Sequence, residues 1–235
     1  MLTVLVHGFW GGPGDWNEVL KRLPLGLEVW TPDLYEPGAL APHHTLEEWV
    51  HHFQEEVAER AKGEPVQVVG YSMGGRLLLQ TLLAHPKLFS RALILSARPF
   101  ALGPDEARER RSWELSWREK FLTKEWSELE KEWESLGVFQ GSYRPERREG
   151  SQLREMLGQS LVHWSPADVA HRPQDLKALP STVDWAFGAL DQKYTALAKD
   201  LATASVRGQI NVIENAGHRL PFDAPDWVAS WIVKE

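Results

Sequence analysis

The stretch that most constrains this chain is Val68-Val69-Gly70-Tyr71-Ser72-Met73-Gly74-Gly75-Arg76. An apolar run, as in a buried strand, enters a serine flanked by glycines and leaves straight into Leu77-Leu78-Leu79-Gln80-Thr81-Leu82-Leu83, an apolar helix. A strand that becomes a helix over a single residue holds that residue on a sharp, strained turn. Gly70 and Gly74 are then needed without side chains, because strand and helix backbones crowd together there. This is the geometry of a nucleophile elbow, which leaves the serine hydroxyl exposed. A hydroxyl is a poor nucleophile or base alone, so the rest of the chain has to supply an imidazole and a carboxylate.

Upstream, Leu2–Val6 reads as a short buried parallel strand. It ends in His7-Gly8-Phe9-Trp10-Gly11-Gly12-Pro13-Gly14, where a plain strand-to-helix turn would use one or two glycines. Strand, His-Gly loop and helix is the arrangement that gives one backbone N–H to an oxyanion hole. Asp15 is expected to cap a helix through Trp16, Val19, Leu20 and Leu23. A second strand is expected over Leu27–Thr31, a loop over 33–44, and then a helix opened by the capping-box pattern Thr45-Leu46-Glu47-Glu48. His43, His44, His51 and His52 do not read as a metal site, since residues eight apart on a helix lie ~12 Å apart along its axis. With the elbow strand and a further strand at Arg91–Ser96, the alternation predicts an α/β fold: a mostly parallel sheet with helices on both faces.

The alternation stops at residue 98 and resumes near 176. The intervening segments, Asp105–Leu122, Lys124–Leu136 and Arg147–Leu161, are helical and charged. They predict a helical cap over the carboxyl ends of the strands (98–175) on a core formed by 1–97 and 176–235. Trp113, Trp117, Trp126 and Trp133 recur at the spacing of a helix face, and most are expected to pack cap helices together. Trp133 and Phe139 are expected to face a substrate. The sheet resumes at Thr182–Gly188, a helix runs through Tyr194, Leu197 and Leu201, a strand covers Ile210–Ile213, and a last helix begins at Pro225.

Two residues complete the elbow's requirements. Asp191 closes Phe187-Gly188-Ala189-Leu190-Asp191, and His218 closes Ile213-Glu214-Asn215-Ala216-Gly217-His218. Each follows a strand, and the order Ser72, Asp191, His218 is that of an α/β-hydrolase triad. Asp184 starts its strand at the wrong end, and Asp200 lies within a helix. The oxyanion hole is then expected from the backbone N–H groups of Met73 and Phe9. Arg76, one helical turn past Ser72, is either a structural partner for a nearby carboxylate or a fork for a substrate carboxylate.

A formal net charge of -7 argues against nucleic acid as a partner. With no cysteine there is no thiolate nucleophile, disulfide or cysteine metal site, in keeping with a cytoplasmic location. The opening apolar run is too short and lacks the basic flank for a leader or membrane span. No metal or cofactor is called for, the partner expected is a small anionic substrate, and the sequence carries no signal of oligomeric state.

Beyond these readings, the chain resembles the 2-succinyl-6-hydroxy-2,4-cyclohexadiene-1-carboxylate synthases of menaquinone biosynthesis. The resemblance lies in His7-Gly8-Phe9 with Trp16-Asn17-Glu18-Val19, and in Val69 through Arg76. It continues in Trp117-Arg118-Glu119-Lys120-Phe121-Leu122-Thr123 leading to Trp133 and Val138-Phe139, and in Arg147-Arg148-Glu149 before Arg154. Gly188-Ala189-Leu190-Asp191-Gln192-Lys193-Tyr194 and Ala216-Gly217-His218 complete it. The resemblance implies a lyase: pyruvate eliminated from a polyanionic precursor, with Ser72 taking a proton from carbon beside a carbonyl, His218 relaying it and Asp191 orienting His218. It also implies that Arg76, Arg110 and Arg154 hold substrate carboxylates while Tyr71 and Trp133 line the pocket, with Arg108 or Arg111 as alternatives to Arg110. The loop Asp33-Leu34-Tyr35-Glu36-Pro37-Gly38 departs from the family's Gly-His-Gly-x-Ser pattern. A serine esterase or C–C bond hydrolase on a small carboxylated substrate is the alternative, and a catalytically silent protein would require a displaced triad.

Overall fold

The computed structural model describes residues 1–42, 44–179 and 182–234. Among them, β1 (Leu2–Val6), β2 (Val29–Trp30), β3 (Val66–Tyr71), β4 (Phe89–Leu95), β5 (Thr182–Gly188) and β6 (Ile210–Ile213) form one sheet, ordered β2-β1-β3-β4-β5-β6. Every neighbouring pair is parallel. The chain steps from β1 out to β2, then crosses back to lay β3 on the other side of β1. That reversal opens a crevice beyond the carboxyl ends of β1 and β3, where ligands gather in such sheets.

The helices in chain order are α1 (Asn17–Leu20), α2 (Leu46–Ala61), α3 (Met73–Ala84), α4 (Pro104–Thr123), α5 (Trp126–Glu134), α6 (Ser151–His163), α7 (Pro173–Lys177), α8 (Gln192–Ala204), α9 (Leu220–Asp223) and α10 (Pro225–Val233). Helices α4–α7 all fall between β4 and β5. Strand residues alternate between two apolar layers, as period-two side chains must. Val4, Val6, Val68 and Ile94 pack with Phe53 of α2, Leu78 of α3 and Leu201 of α8. Leu5, Val69, Leu93 and Leu95 pack on the opposite face with Trp16, Val19 of α1 and Val228 and Trp231 of α10.

The structure differs from the sequence reading at several boundaries. The second strand keeps only Val29–Trp30 of Leu27–Thr31, because it pairs with β1 alone at the sheet edge. Asp15 does not cap a helix; it lies inside a 3₁₀ turn, Pro13–Trp16, started by its proline. Helix α6 begins at Ser151, after Gly150 at φ 156°, so Arg147 and Arg148 stay outside it in irregular chain. The capping box on α2 is present: the Glu48 N–H donates to Thr45 Oγ1 and the Thr45 N–H to the Glu48 carboxylate. His44 precedes α2 and folds back so that its ring lies 4.8 Å from that of His52, closer than a purely helical placement gives. No group of three His, Asp or Glu side chains is arranged to hold a metal among the described residues, and His43 lies outside them. Likewise, no helix among the described residues is long and apolar enough to cross a membrane.

Candidate active site

Ser72 sits at φ 52°, ψ −111°, a left-handed conformation that a β-carbon makes costly. Its N–H donates to the Leu95 carbonyl at 2.8 Å, and its own carbonyl accepts the Arg76 N–H that begins α3. The flanking glycines are steric necessities. A β-carbon on Gly74 would lie 2.5 Å from the Val6 carbonyl oxygen and nearer still to that of His7. One on Gly70 would lie 2.8 Å from the Gly75 α-carbon, and one on Gly75 2.8 Å from Ala97 Cβ. Gly75, the residue after Gly74, is therefore constrained as well.

Asp191 and His218 reach Ser72 from the ends of β5 and β6. Backbone bonds from Ala189 N–H to the Ile213 carbonyl and from Leu190 N–H to the Ala216 carbonyl, both 2.9 Å, lock the two loops together. Asp191 caps α8, its Oδ1 accepting the Tyr194 N–H at 3.3 Å, which leaves Oδ2 free to face His218. His218 Nδ1 lies 2.6 Å from that oxygen, and its Nε2 lies 3.0 Å from Ser72 Oγ. Against a carboxylate, Nδ1 carries the proton and donates, so Nε2 accepts from the serine hydroxyl. Asp191 and His218 are both buried, which strengthens that pairing.

The triad opens into a cavity of about 560 Å³. Phe9, Ser72, Met73, Arg76 and His218 line it from the core; Arg98, Arg110, Trp113, Trp133 and Phe139 line it from between β4 and β5; Lys193 and Tyr194 line it from α8. Neither the Phe9 nor the Met73 backbone N–H donates to a protein acceptor among the described residues. Trp133 and Phe139 pack 5.9 Å apart, and the buried Trp133 Nε1 has no acceptor among the described residues. A larger cavity of about 740 Å³ lies between the Trp10–Asn17 loop and Tyr143–Arg148. It touches none of the triad residues, and the Arg148 guanidinium in its wall is taken up by Asp33 and the Gly11 carbonyl.

The cavity's cations differ in how they are engaged. Arg76 donates to the Trp164 carbonyl at 2.8 Å and forms an ion pair with no carboxylate among the described residues. Burial, then the nearby charge of Arg110, brings its guanidinium down to about 10, so it stays protonated at neutral pH. Arg110 pairs with Glu114 at 2.7 Å and stacks on Trp113 at 4.4 Å, yet keeps a face on the cavity. Arg98 pairs with Glu106. Lys193 has its ammonium pKa lowered by burial and then by Arg110 and Arg98.

Two expected pocket residues are not brought to this cavity. Arg154 donates to the Phe121 and Lys124 carbonyls at 2.8 and 2.6 Å and lies over Trp126, where it caps the end of α4. Tyr71, the last residue of β3, is absent from the cavity lining and packs with Leu5, Trp16 and Leu95. Its ring still comes within 5.7 Å of His218. Conversely, Lys193 and Tyr194 line the cavity although the sequence reading names neither as a pocket residue, the Tyr194 ring standing edge-on to His218 at 4.7 Å. Their signal was position: they follow Asp191 directly, at the first turn of a helix that starts at the carboxyl end of a strand.

A six-stranded parallel sheet with a serine elbow after β3, and an aspartate and histidine after β5 and β6, defines an α/β-hydrolase. The chain belongs to the alpha/beta hydrolase family, whose sequence model matches residues 3–231. A 2-succinyl-6-hydroxy-2,4-cyclohexadiene-1-carboxylate synthase of Enterobacter sp. is 24% identical over 243 residues, covering 98% of this chain and 90% of its own. A pimeloyl-[acyl-carrier protein] methyl ester esterase of Aromatoleum aromaticum is 34% identical over 106 residues, 44% of this chain and 40% of its own. The structure of MenH from S. aureus superimposes with a TM-score of 0.85 at 18% identity, covering 99% of this chain and 92% of that one.

Proposed function

We propose that this enzyme is a lyase that eliminates pyruvate from a polyanionic menaquinone precursor to give 2-succinyl-6-hydroxy-2,4-cyclohexadiene-1-carboxylate. The observation that carries the reading is Arg76: a buried guanidinium without a carboxylate partner among the described residues, one helical turn from Ser72 on the wall of the same cavity. Burying an unmatched cation is costly, and a ligand carboxylate offsets that cost. The resemblance of relatives named for this synthase, over nearly the whole chain, points the same way.

In this reaction Ser72 Oγ passes its proton to His218 Nε2 and takes one from the carbon beside a substrate carbonyl. Asp191 holds the imidazole in the required tautomer and stabilises the imidazolium. Negative charge collects on the carbonyl oxygen, where the Phe9 and Met73 N–H groups receive it. As the ring gains its double bond, the C–O bond to the pyruvyl group breaks, and the departing enolate takes up the proton held on His218, which returns the imidazole to its neutral form and releases pyruvate. Arg76, with the cavity face of Arg110, holds substrate carboxylates, and Trp133 and Phe139 supply the apolar wall. Substrate and product are small anions, and we place the enzyme in the cytoplasm.

The test is pyruvate release from the precursor. Wild type should release it, Ser72→Ala should abolish release, and Arg76→Met should lower kcat/KM by roughly 10- to 100-fold, the worth of one charge-assisted contact. Folded wild type that releases no pyruvate overturns the reading. Ester hydrolysis of a small carboxylated substrate is the second reading, favoured by the 3.0 Å serine–histidine contact, which suits a nucleophile equally well.

A further inference from the structure

We infer that Glu134, which lines neither the catalytic cavity nor the larger one, sets the position of His218 and of the Phe9 loop through two buried arginines. The inference rests on the triad as the reaction centre but not on which substrate it serves.

Glu134 is the last residue of α5, and its side chain is 7% exposed. The Arg219 guanidinium grips it with both nitrogens, Nη1 to Oε2 and Nη2 to Oε1, each at 2.7 Å. Arg147 Nη2 donates to Oε1 at 3.0 Å. The arginines are as deeply enclosed as the carboxylate, at 6% and 1% exposure. Burial alone would push the Glu134 carboxyl up; the Arg219 hydrogen bond and charge, with Arg147 behind them, outweigh it and keep it ionised.

What makes this more than a buried ion cluster is where the arginines sit. Arg219 follows His218 in the chain, and Arg147 Nη1 donates to the carbonyl of Trp10, the residue after Phe9, at 3.1 Å. Arg219 also donates to the Tyr143 carbonyl at 2.7 Å and lies over the Phe139 ring at 3.9 Å. Phe139 in turn stands edge-on to the His218 ring at 5.8 Å. The loops before and after His218 are tied to the same stretch, since Asp223 accepts the N–H groups of both Gly217 and Tyr143. One carboxylate thus fixes, from outside the cavity, the triad histidine and one of the two loops that surround the developing oxyanion. Two planar guanidinium forks leave it little freedom to shift.

A bridge that only stapled the helices between β4 and β5 to the core would predict something different, and a small probe separates the two roles. Phenylmethylsulfonyl fluoride reacts at the triad serine: the Ser72 Oγ–S bond forms, the S–F bond breaks, fluoride leaves and His218 takes the proton. The labelling rate, followed by intact-protein mass, reads serine–histidine–oxyanion geometry without using the natural substrate. In Glu134→Gln the rate should fall roughly 100-fold, the scale expected when reacting groups drift by about 1 Å. Because an arginine left unmatched could unfold the chain, a second variant combines Arg147→Met, Glu134→Leu and Arg219→Met, removing all three charges at similar volume. It should stay folded and label as slowly. Labelling of either folded variant at the wild-type rate or faster, with only the melting temperature changed, overturns the inference and leaves a structural staple.

Discussion

The tightest coupling between fold and chemistry lies at Gly74, so Gly74→Ala is the sharpest test of how the elbow works. The added methyl would meet the main-chain carbonyl oxygens of Val6, at 2.5 Å, and of His7, not the end of a flexible side chain. The carbonyls belong to the end of β1 and the residue after it, and β1 is buried along its length between β2 and β3, so it cannot retreat. The start of α3 has to move instead. Overpacking of this kind costs about 1–3 kcal/mol, and backbone contacts place this case toward the upper end. For a chain of this size each kcal/mol lowers the melting temperature by about 2–4 °C, so a fall of about 6–12 °C is expected by calorimetry. Moving α3 also carries Ser72 away from the 3.0 Å contact with His218, and the turnover rate should drop roughly 100-fold. Gly14→Ala is the control, because a β-carbon there meets nothing closer than Asn17 Nδ2 at 3.7 Å. If Gly74→Ala melts with wild type and turns over normally, the elbow does not depend on close backbone approach and the steric argument fails.

Other outcomes follow from single contacts. Asp191→Asn should leave the melting temperature nearly unchanged, since an amide oxygen can still accept the Tyr194 N–H, while kcat falls on the order of 10⁴-fold because His218 loses its tautomer. Thr45→Ala removes the cap of α2, far from the triad in sequence and outside its cavity; it should cost about 1 kcal/mol in chemical denaturation with kcat unchanged. His171 is buried, donating from Nε2 to the Pro99 carbonyl and accepting at Nδ1 from Gln80. Burial lowers its pKa below the ordinary histidine value of 6.5, so the unfolded chain binds the proton more readily. Its contribution to stability is therefore present above pH 6.5 and lost as the pH falls from there through the lower folded-state value. Melting curves between neutral and mildly acid pH should show that loss, and His171→Gln should remove this component of the slope.

The sequence made the core legible where local pattern and tertiary demand coincide. β1 and β3 are buried on both faces, so they appear as unbroken apolar runs, and the glycines around Ser72 mark backbone approaches that no other residue permits. The triad was legible because its members sit at strand ends, in an order that the sheet topology turns into proximity. What pattern could not give was the direction of long side chains. Arg110 and Arg154 lie on the same kind of charged helical stretch, yet one faces the cavity and the other reaches the carbonyls at the end of α4. That choice depends on how α4 and α6 pack, which no spacing within either helix records. Tyr71 is a similar case: adjacency to Ser72 in sequence does not record that its ring packs with Leu5, Trp16 and Leu95.

Elimination and hydrolysis ask different things of the same three residues, and the difference can be read in the protein's mass. A hydrolase must bring an acyl carbon to Ser72 Oγ, form a covalent acyl-enzyme, and then admit water to the same spot. A lyase needs only a C–H bond at Ser72 and an anchored anion to hold the carbon in place, and Ser72 is restored within the same step. Arg76 argues for the second regime. Its guanidinium is fixed by the Trp164 carbonyl on the wall of the cavity that Ser72 lines, where it can anchor a ligand carboxylate without any acyl transfer. Rapid quench of enzyme turning over the precursor should therefore give only the unmodified mass, even when the cavity is saturated. An added mass on the Ser72 peptide during turnover would make the serine a nucleophile in this reaction and refute its role as base.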